Sequence, residues 1–250
     1  MWNRLMGMAA AALAFGLGGT ALDAGSALAQ RGGDMEEDSA PSSRTSKARD
    51  TLVYADFENS TDGRPISSRG GLVTLGGYQE NPSRTSVFRG HEADNNIPKL
   101  VRTSKQDQNR AAAFDYELVI PNQWAGVTLR IDGRPGESGA LPTDDVSGYK
   151  VLSIQAYATG TSYMRVEVMS QGAGINYHSG YPMTSFKLRE GFNIYKVPLS
   201  SFSQPSWVSD TRIDPKEVLK QLTSVTVAVY CDDCRPTSGM VIIDNVVFEK

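Results

Sequence analysis

The chain has 250 residues, a formal net charge of −3, two cysteines and two histidines. This near balance of charge gives no electrostatic case for a nucleic acid or an anionic lipid surface as the partner. With 40% apolar residues, the chain is long enough to bury the core of one well-packed domain.

Residues 1–29 have the pattern of a secretory signal peptide. Arg4 supplies the positive start, the run from Leu5 to Leu22 is rich in alanine, leucine and glycine, and Ala27-Leu28-Ala29 fits the cleavage pattern. Glycines interrupt this run, which makes it a poor membrane-spanning helix, and no later stretch is long or apolar enough to cross a bilayer. We therefore expect an exported protein, periplasmic or extracellular, without a membrane span.

Residues 30–50 form a polar segment, QRGGDMEEDSAPSSRTSKARD, in which Met35 and two alanines are the only apolar residues. Such a segment buries too little surface to offset the entropy lost on ordering. It is predicted to be a disordered tether that precedes a folded domain at residues 51–250.

Alternating apolar and polar residues recur along this domain and predict β-strands. The inward faces are predicted to carry Phe114, Tyr116, Leu118 and Ile120; Ala125, Val127, Leu129 and Ile131; Leu152, Ile154 and Ala156; Met164, Val166 and Val168; and Val225, Val227 and Val229. Shorter runs appear at TLVYADFE, LVTL, SFKL, NIYKVPL and MVIIDNVVF. About ten strands separated by turn residues favour an all-β fold, an antiparallel β-sandwich or barrel.

One segment, DPKEVLKQL, predicts a short helix between Asp214 and Leu222. Asp214 is suited to the N-cap, Pro215 to the first helical position and Glu217 to a capping-box-like start.

The only cysteines, Cys231 and Cys234, stand in the sequence YCDDCRPTSG. A C-x-x-C pair is found in zinc sites, in redox centres and in disulfides. Zinc requires further ligands and no second pair exists. The motif also ends a strand and enters a turn, where a thioredoxin-like motif would open a helix. In an exported protein we expect a disulfide that closes the turn before the last strand.

The order of these segments resembles a galactose-binding-like jelly roll. The segments that carry the resemblance are DVSGYKVLSIQAYATG, GFNIYKVPLSSF, LTSVTVAVY and GMVIIDNVVFEK, with Asp56-Phe57-Glu58 in the first strand and Ile243-Asp244-Asn245 in the last. This order of strands along the chain resembles that of the family-11-like carbohydrate-binding modules and that of the complex I intermediate-associated protein 30 family. The resemblance covers residues 51–250 and implies a two-sheet sandwich with a glycan or a protein as its partner.

Strand alternation selects candidate ligand-binding residues. If Met164, Val166 and Val168 face the core, then Tyr163, Arg165 and Glu167 face the opposite way. On the strand before, Tyr157 is out of phase with the predicted core residues. We therefore expect Tyr157, Arg165 and Glu167 to share one solvent-facing side of a sheet, although an arginine and a glutamate two residues apart also pair commonly in water.

The resemblance adds a role for these residues. The carbohydrate-binding modules use an Arg-x-acid pair on this strand to contact the ligand, and Arg165-Val166-Glu167 has the same spacing. The glycine-rich segment QGAGINYHSGYP follows directly, so Tyr177, His178 and Tyr181 are expected at the rim of a ligand groove.

Sequence motifs for catalysis are weak. The chain has no spaced acidic motif for glycoside hydrolysis and no G-x-S-x-G nucleophile motif. A lyase that uses Tyr177, His178 and Arg165 stays as an alternative. We expect no catalytic residues.

A structural calcium site is the one predicted cofactor site. If the first and last strands pair, as they do in the folds that the chain resembles, Asp56, Glu58 and Asp244 converge. Hard carboxylate oxygens there suit Ca²⁺.

The preferred hypothesis is an exported, non-catalytic carbohydrate-binding module that recognises a glycan or a cell-envelope polysaccharide. The alternative is a protein-interaction or assembly factor on the same sandwich, as the complex I intermediate-associated resemblance suggests.

Overall fold

The computed structural model describes residues 50–61, 63–77, 87–91, 94, 96–104, 108–131, 142–170, 180–208, 212–231 and 237–250. The predicted signal peptide at 1–29 and the predicted tether at 30–50 lie outside the described residues, except for Asp50. Both stay predictions.

The described strands form two large sheets. The seven-stranded sheet contains β1 (Thr51–Ala55), β5 (Val87–Arg89), β6 (Lys99–Arg102), β7 (Arg110–Leu118), β9 (Val151–Ala158), β12 (Asn193–Pro198) and β14 (Thr237–Glu249). The five-stranded sheet contains β4 (Gly70–Gly77), β8 (Trp124–Ile131), β10 (Tyr163–Met169), β11 (Met183–Lys187) and β13 (Ser224–Tyr230). Two short strands, β2 (Ser60–Thr61) and β3 (Arg64–Pro65), pair with each other.

The strand order defines a sandwich. The seven-stranded sheet runs β12-β9-β14-β7-β5, with β1 also paired to β14 and β6 to β7, and the five-stranded sheet runs β11-β10-β13-β8-β4. All the described strand pairs are antiparallel. The first and last strands pair as expected, with Thr51 opposite Glu249. The predicted antiparallel β-sandwich is therefore confirmed.

The core lies between the two sheets and includes most of the residues that alternation assigned to inward faces, although Ile120 lies beyond the end of β7 and is only partly buried. The five-stranded sheet contributes Val127, Leu129, Val166, Val168, Val225 and Val227, and the seven-stranded sheet contributes Phe114, Leu152, Ile154, Ile243 and Phe248; all are fully buried or 1% exposed. Removal of this apolar surface from water is the main favourable term in folding. The opposite face of each sheet is consequently free to carry polar and aromatic side chains.

The chain changes sheets between β9 and β10. The two strands are separated by Thr159 to Ser162, and Gly160 in this connection has a φ of +78°. A β-carbon at Gly160 would stand 2.1 Å from the carbonyl oxygen of Ser238, so the connection passes too close to β14 for any side chain. This connection is an arch between layers and not a hairpin within one sheet.

The arch corrects one expectation about the site. Tyr157 lies on β9 in the seven-stranded sheet, whereas Arg165 and Glu167 lie on β10 in the five-stranded sheet. All three point away from the core, and therefore they face opposite sides of the sandwich. The expectation that they share one side of a sheet is wrong, because alternation within a strand does not reveal which sheet the strand joins.

The predicted helix is present as α1 (Pro215–Lys220). The Asp214 side chain accepts a hydrogen bond of 2.9 Å from the Lys216 amide, which satisfies one of the free N–H groups of the first turn. Glu217 pairs with Lys220 at 2.7 Å and so does not complete the capping box. A single 3₁₀ turn (Leu199–Ser201) is the other described helical element, and none of the described helices is long and apolar enough to span a membrane.

Two isoleucines on adjacent strands test the assignment of the core. Ile154 is fully buried on β9, whereas Ile194 is 55% exposed on β12. Ile154→Ala is expected to lower the free energy of unfolding by about 2–5 kcal/mol, because it removes buried methyl groups and leaves a cavity. The matched change Ile194→Ala is expected to stay within about 0.5 kcal/mol of the wild type. Chemical denaturation measures both, and equal losses would contradict the assigned layers.

Candidate ligand-binding groove

A groove of about 640 Å³ lies on the outer face of the five-stranded sheet. The described side chains that line it include Trp124, Arg165, Glu167, Tyr181, Trp207 and Tyr230. Three strands that are adjacent in the sheet, β8, β13 and β10, supply four of these residues. A concave site that combines aromatic side chains with a few polar groups is the usual form of a ligand-binding site.

Cross-strand register arranges the outward residues of this sheet in rows. Trp124 is opposite Tyr230, and the next row contains Gly76, Gly126, Ala228 and Arg165 in that order across four strands. A β-carbon at Gly126 would lie 2.6 Å from the β-carbon of Ala228, so this position has no room for a side chain. One at Gly76 would lie 3.6 Å from the indole of Trp124. The small row therefore leaves space for the indole to extend across β4.

The third row is polar. Thr74, Thr128 and Thr226 lie side by side on β4, β8 and β13, and Glu167 continues the row on β10. The hydroxyls of Thr128 and Thr226 share a hydrogen bond of 2.8 Å. Thr226 is only 2% exposed, and Glu167 is the member of this row that lines the groove.

Aromatic groups surround the polar part of the groove. Trp124 and Tyr230 form a cross-strand pair, and Trp207 is 63% exposed. The Tyr230 hydroxyl shares a hydrogen bond of 3.1 Å with the Ser185 hydroxyl on the edge strand β11. Aromatic rings of this kind combine a large apolar surface with a polar edge, which matches the apolar faces and hydroxyl rim of a sugar ring.

Arg165 is held by two neighbours at the centre of the groove. One terminal nitrogen, Nη2, is 2.8 Å from Oε1 of Glu167, and the guanidinium lies over the Tyr230 ring at 5.2 Å from its centroid. The side chains of Arg165 and Glu167 are only 14% and 12% exposed. The nitrogen Nε is buried, and no described residue supplies a hydrogen-bond acceptor to it. The guanidinium therefore has one donor that the described part of the chain leaves unsatisfied.

Burial also alters the acids of the groove. Desolvation raises the pKa of Glu167, and the nearby Arg165 partly opposes this shift. Desolvation, together with the negative charge of Glu167, raises the pKa of Tyr181. The Tyr181 hydroxyl is therefore protonated at neutral pH and able to donate a hydrogen bond.

A buried glutamine fixes the end of the groove. Gln123 is fully buried, and its Oε1 accepts hydrogen bonds from the amides of Val119 at 2.6 Å and Ile120 at 3.1 Å. The Cys231 amide donates to the Gln123 carbonyl at 2.9 Å, and the Cys231 carbonyl accepts from the Asn122 amide at 2.6 Å. These bonds close the sheet beyond Trp124 and Tyr230 and so set the position of both rings.

The predicted ligand-binding residues are placed differently from one another. Arg165, Glu167 and Tyr181 line the groove. Tyr163 is 47% exposed on the same face of β10, and Tyr157 lies on the other sheet. Tyr177 and His178 lie outside the described residues. Ligand contacts of Tyr163, Arg165, Glu167, Tyr177, His178 and Tyr181 stay predictions, whereas Tyr157 is separated from this groove by its place on the other sheet.

Sequence reasoning missed Trp124, Trp207 and Tyr230. Trp124 precedes the predicted core residue Ala125, and Tyr230 follows the predicted core residue Val229. The alternation therefore already predicted that both side chains face outward. What was missing is the strand order, which brings β8 and β13 next to β10. For Trp207 we find no sequence signal.

The three acids of the predicted calcium site lie near one another. Asp56 and Glu58 follow the end of β1 and do not lie within it, and both of their charges contribute to the raised pKa of Asp244. Glu58 accepts a hydrogen bond of 2.7 Å from the Arg110 amide. Among the described residues, no group of three His, Cys, Asp or Glu side chains is arranged to hold a metal ion. A calcium ion here would therefore need amide or backbone oxygens as well.

Asp244 is fully buried and is held by amides. Its Oδ2 accepts from the side-chain amide of Asn109 at 2.7 Å, and its Oδ1 accepts from the Asn245 backbone amide at 2.8 Å. Desolvation is nevertheless the main influence and raises the pKa of Asp244. The native state thus binds this proton more tightly than the unfolded chain, which stabilises the fold at low pH and is lost as pH rises through the raised pKa.

The substitution Asp244→Asn separates a calcium site from a metal-free carboxylate. In chelator, the melting temperature of the variant relative to that of the wild type is expected to rise as the pH rises through the raised pKa of Asp244, because the variant has no buried carboxyl to ionise. If calcium binds, excess Ca²⁺ raises the melting temperature of the wild type but not of the variant. Differential scanning fluorimetry measures both effects.

Asp115→Asn provides the control, because Asp115 is a half-exposed carboxylate on the neighbouring strand β7 that pairs with Lys99. Its response to Ca²⁺ should equal that of the wild type. A wild-type melting temperature that does not change with Ca²⁺ would remove the calcium site.

The disulfide prediction depends on Cys234, which lies outside the described residues. Cys231 is 1% exposed at the end of β13. We expect the intact mass of the exported protein to rise by two hydrogens on reduction, because the two cysteines are close enough in sequence to pair. An unchanged mass would show that the thiols were never joined.

The fold is similar to that of known carbohydrate-binding modules. The family 11 carbohydrate-binding module of a cellulosomal cellulase from Clostridium thermocellum aligns with a TM-score of 0.50 and 15% identity over 80% of this chain and 94% of the module. A structure of the family 11 module from C. thermocellum in complex with a β-1,3-1,4-mixed-linked tetrasaccharide aligns with a TM-score of 0.49 and 15% identity over 80% and 95% of the two chains. An exo-β-agarase aligns with a TM-score of 0.43 and 12% identity over 79% of this chain and 25% of the agarase.

No family model matches the sequence, and no curated protein matches it. At this level of identity, the likeness shows a shared fold and supports the resemblance to family 11 modules that the sequence suggested.

Proposed function

We propose that this protein is an exported, non-catalytic binding module that holds a glycan chain in the groove on the outer face of the five-stranded sheet. The observation that carries the proposal is the cross-strand aromatic pair Trp124 and Tyr230 beside a buried Arg165–Glu167 pair. Aromatic rings that stack on a sugar, next to planar charged groups that bond its hydroxyls, form a complete recognition set for a carbohydrate.

The same features favour a glycan over a protein partner. A protein-binding surface usually has a core depleted of charged residues, whereas this groove has a buried charge pair at its centre. The Tyr181 and Tyr230 side chains add hydroxyl groups to the same groove. Sugar hydroxyls both donate and accept hydrogen bonds and therefore suit such a surface.

A binding role also fits the acids of the groove. Glycoside hydrolysis requires two carboxyl groups on opposite sides of the scissile bond. Among the described lining residues, Glu167 is the one carboxylate. Export is supported by the signal-peptide pattern of residues 1–29.

Replacement of Trp124 tests the proposal. A glycan array screened with the purified protein identifies a ligand, and affinity electrophoresis then compares variants. Trp124→Ala is expected to weaken binding by about tenfold or more, because it removes a stacking surface worth more than about 1.4 kcal/mol. Its melting temperature should change little, since the indole extends over the outside of β4.

Tyr157→Ala is the matched control, an aromatic residue that points outward from the opposite sheet. It should bind as the wild type does. Equal losses in both variants would contradict the assigned groove, and the absence of any bound glycan would contradict the function. Release of shortened sugar products that stops in His178→Ala would replace the proposal with a lyase.

A further inference from the structure

We infer that Glu167 is a specificity-determining residue, which makes the groove accept uncharged glycan chains and exclude chains that carry carboxylate or sulfate groups. This inference rests on the proposed function and names the class of ligand that the groove selects.

The charges of the groove cancel locally. Of the described residues that line it, Arg165 and Glu167 are the two that carry a formal charge. Their 2.8 Å contact already supplies each with its counter-charge. An anionic ligand would find no free cation among these residues, because its natural partner, the Arg165 guanidinium, is taken by Glu167.

Glu167 also lies where it acts on an incoming ligand. It stands in register with Thr226 on one side and Met183 on the other, so it occupies the sheet surface itself and not a mobile rim. Its side chain is 12% exposed. A carboxylate or sulfate brought to Arg165 would be placed beside this poorly solvated carboxylate, and like charges at close range repel strongly in such surroundings.

The field of Glu167 extends across the groove. Its charge contributes to the raised pKa of Tyr181, which comes from a separate segment of the chain and lines the same groove. Burial raises the pKa of Glu167 as well, which shows that this site already disfavours one negative charge. A second negative charge, brought by an anionic ligand, would be disfavoured further.

The remaining polar groups suit hydroxyls. The Tyr181 and Tyr230 side chains line the groove, and a phenolic hydroxyl can both donate and accept a hydrogen bond. A neutral sugar satisfies these groups without adding charge. The groove therefore combines features that accept a hydroxyl with one residue that rejects an anion.

A matched polymer pair tests this selectivity in the unaltered protein. Hydroxyethyl cellulose and carboxymethyl cellulose share a backbone but differ in charge. Affinity electrophoresis in about 0.5 M salt, where the Debye length is only a few ångströms, screens the net negative charge of the protein. We expect the neutral member of a bound pair to bind at least about tenfold more tightly than the anionic member.

Glu167→Gln keeps the shape of the side chain and removes its charge. In the variant, the ratio of the affinity for the anionic polymer to the affinity for the neutral one should rise at least about tenfold, because Arg165 becomes available to the anion. A lost hydrogen bond from the carboxylate to a sugar hydroxyl lowers both affinities and does not affect this ratio. Glu117→Gln makes the same charge change on the exposed surface of β7 in the other sheet and should leave the ratio unchanged. The double variant Arg165→Gln/Glu167→Gln should lose the affinity for the anionic polymer that Glu167→Gln gained.

The outcomes separate the two proposals. If the wild type binds neutral and anionic members equally, or if Glu167→Gln leaves their ratio unchanged, the role of Glu167 is overturned while glycan binding stands. If the wild type binds no polymer or array glycan, the proposed function fails and the specificity role falls with it. The wild-type comparison requires no variant and decides the matter even if Glu167→Gln does not fold.

Discussion

The groove depends on the pairing of β13 with β8 on one side and β10 on the other. This single register places Tyr230 opposite Trp124, and Ala228 between Gly126 and Arg165. It also turns Val225, Val227 and Val229 inward, where all three are fully buried. A slip of one residue would expose these valines and bury the groove residues, because side chains alternate between faces. Packing of the core therefore holds the binding surface in place.

The two buried acids, Asp244 and Glu167, have different hydrogen-bond and charge partners. Asp244 is surrounded by amide donors and has no described cationic partner, so its burial favours protonation. Glu167 has the Arg165 guanidinium as its partner and keeps its charge at a lower cost. A buried ion pair seldom stabilises a fold more than apolar residues of the same size would. The presence of such a pair at a ligand groove is consequently better explained by recognition than by stability.

Sequence patterns were sufficient for the layers of the fold but not for the order of its strands. Period-two alternation identified the inward faces of β8, β10 and β13, and Asp214 was correctly assigned as the N-cap of the helix. The same alternation placed Tyr157 beside Arg165, which is wrong because a short polar connection can form either a hairpin or an arch. The pairing partners of the two strands distinguish the arch from a hairpin, because β9 pairs with β12 and β14 whereas β10 pairs with β11 and β13, and all of these partners come later in the chain. Trp124 and Tyr230 were missed for a similar reason, since the groove forms only where β8 and β13 lie next to β10.

The Nε of Arg165, to which no described residue supplies an acceptor, has a consequence for the energetics of ligand binding. A buried donor without an acceptor has lost its hydration and gained nothing in exchange. An acceptor that arrives there forms a hydrogen bond without first displacing one, so this contact contributes mostly as enthalpy. Stacking on an aromatic ring, in contrast, buries apolar surface and lowers the heat capacity. The enthalpy of binding would thus report mainly on the guanidinium contact. The change in heat capacity would report mainly on stacking against the aromatic rings.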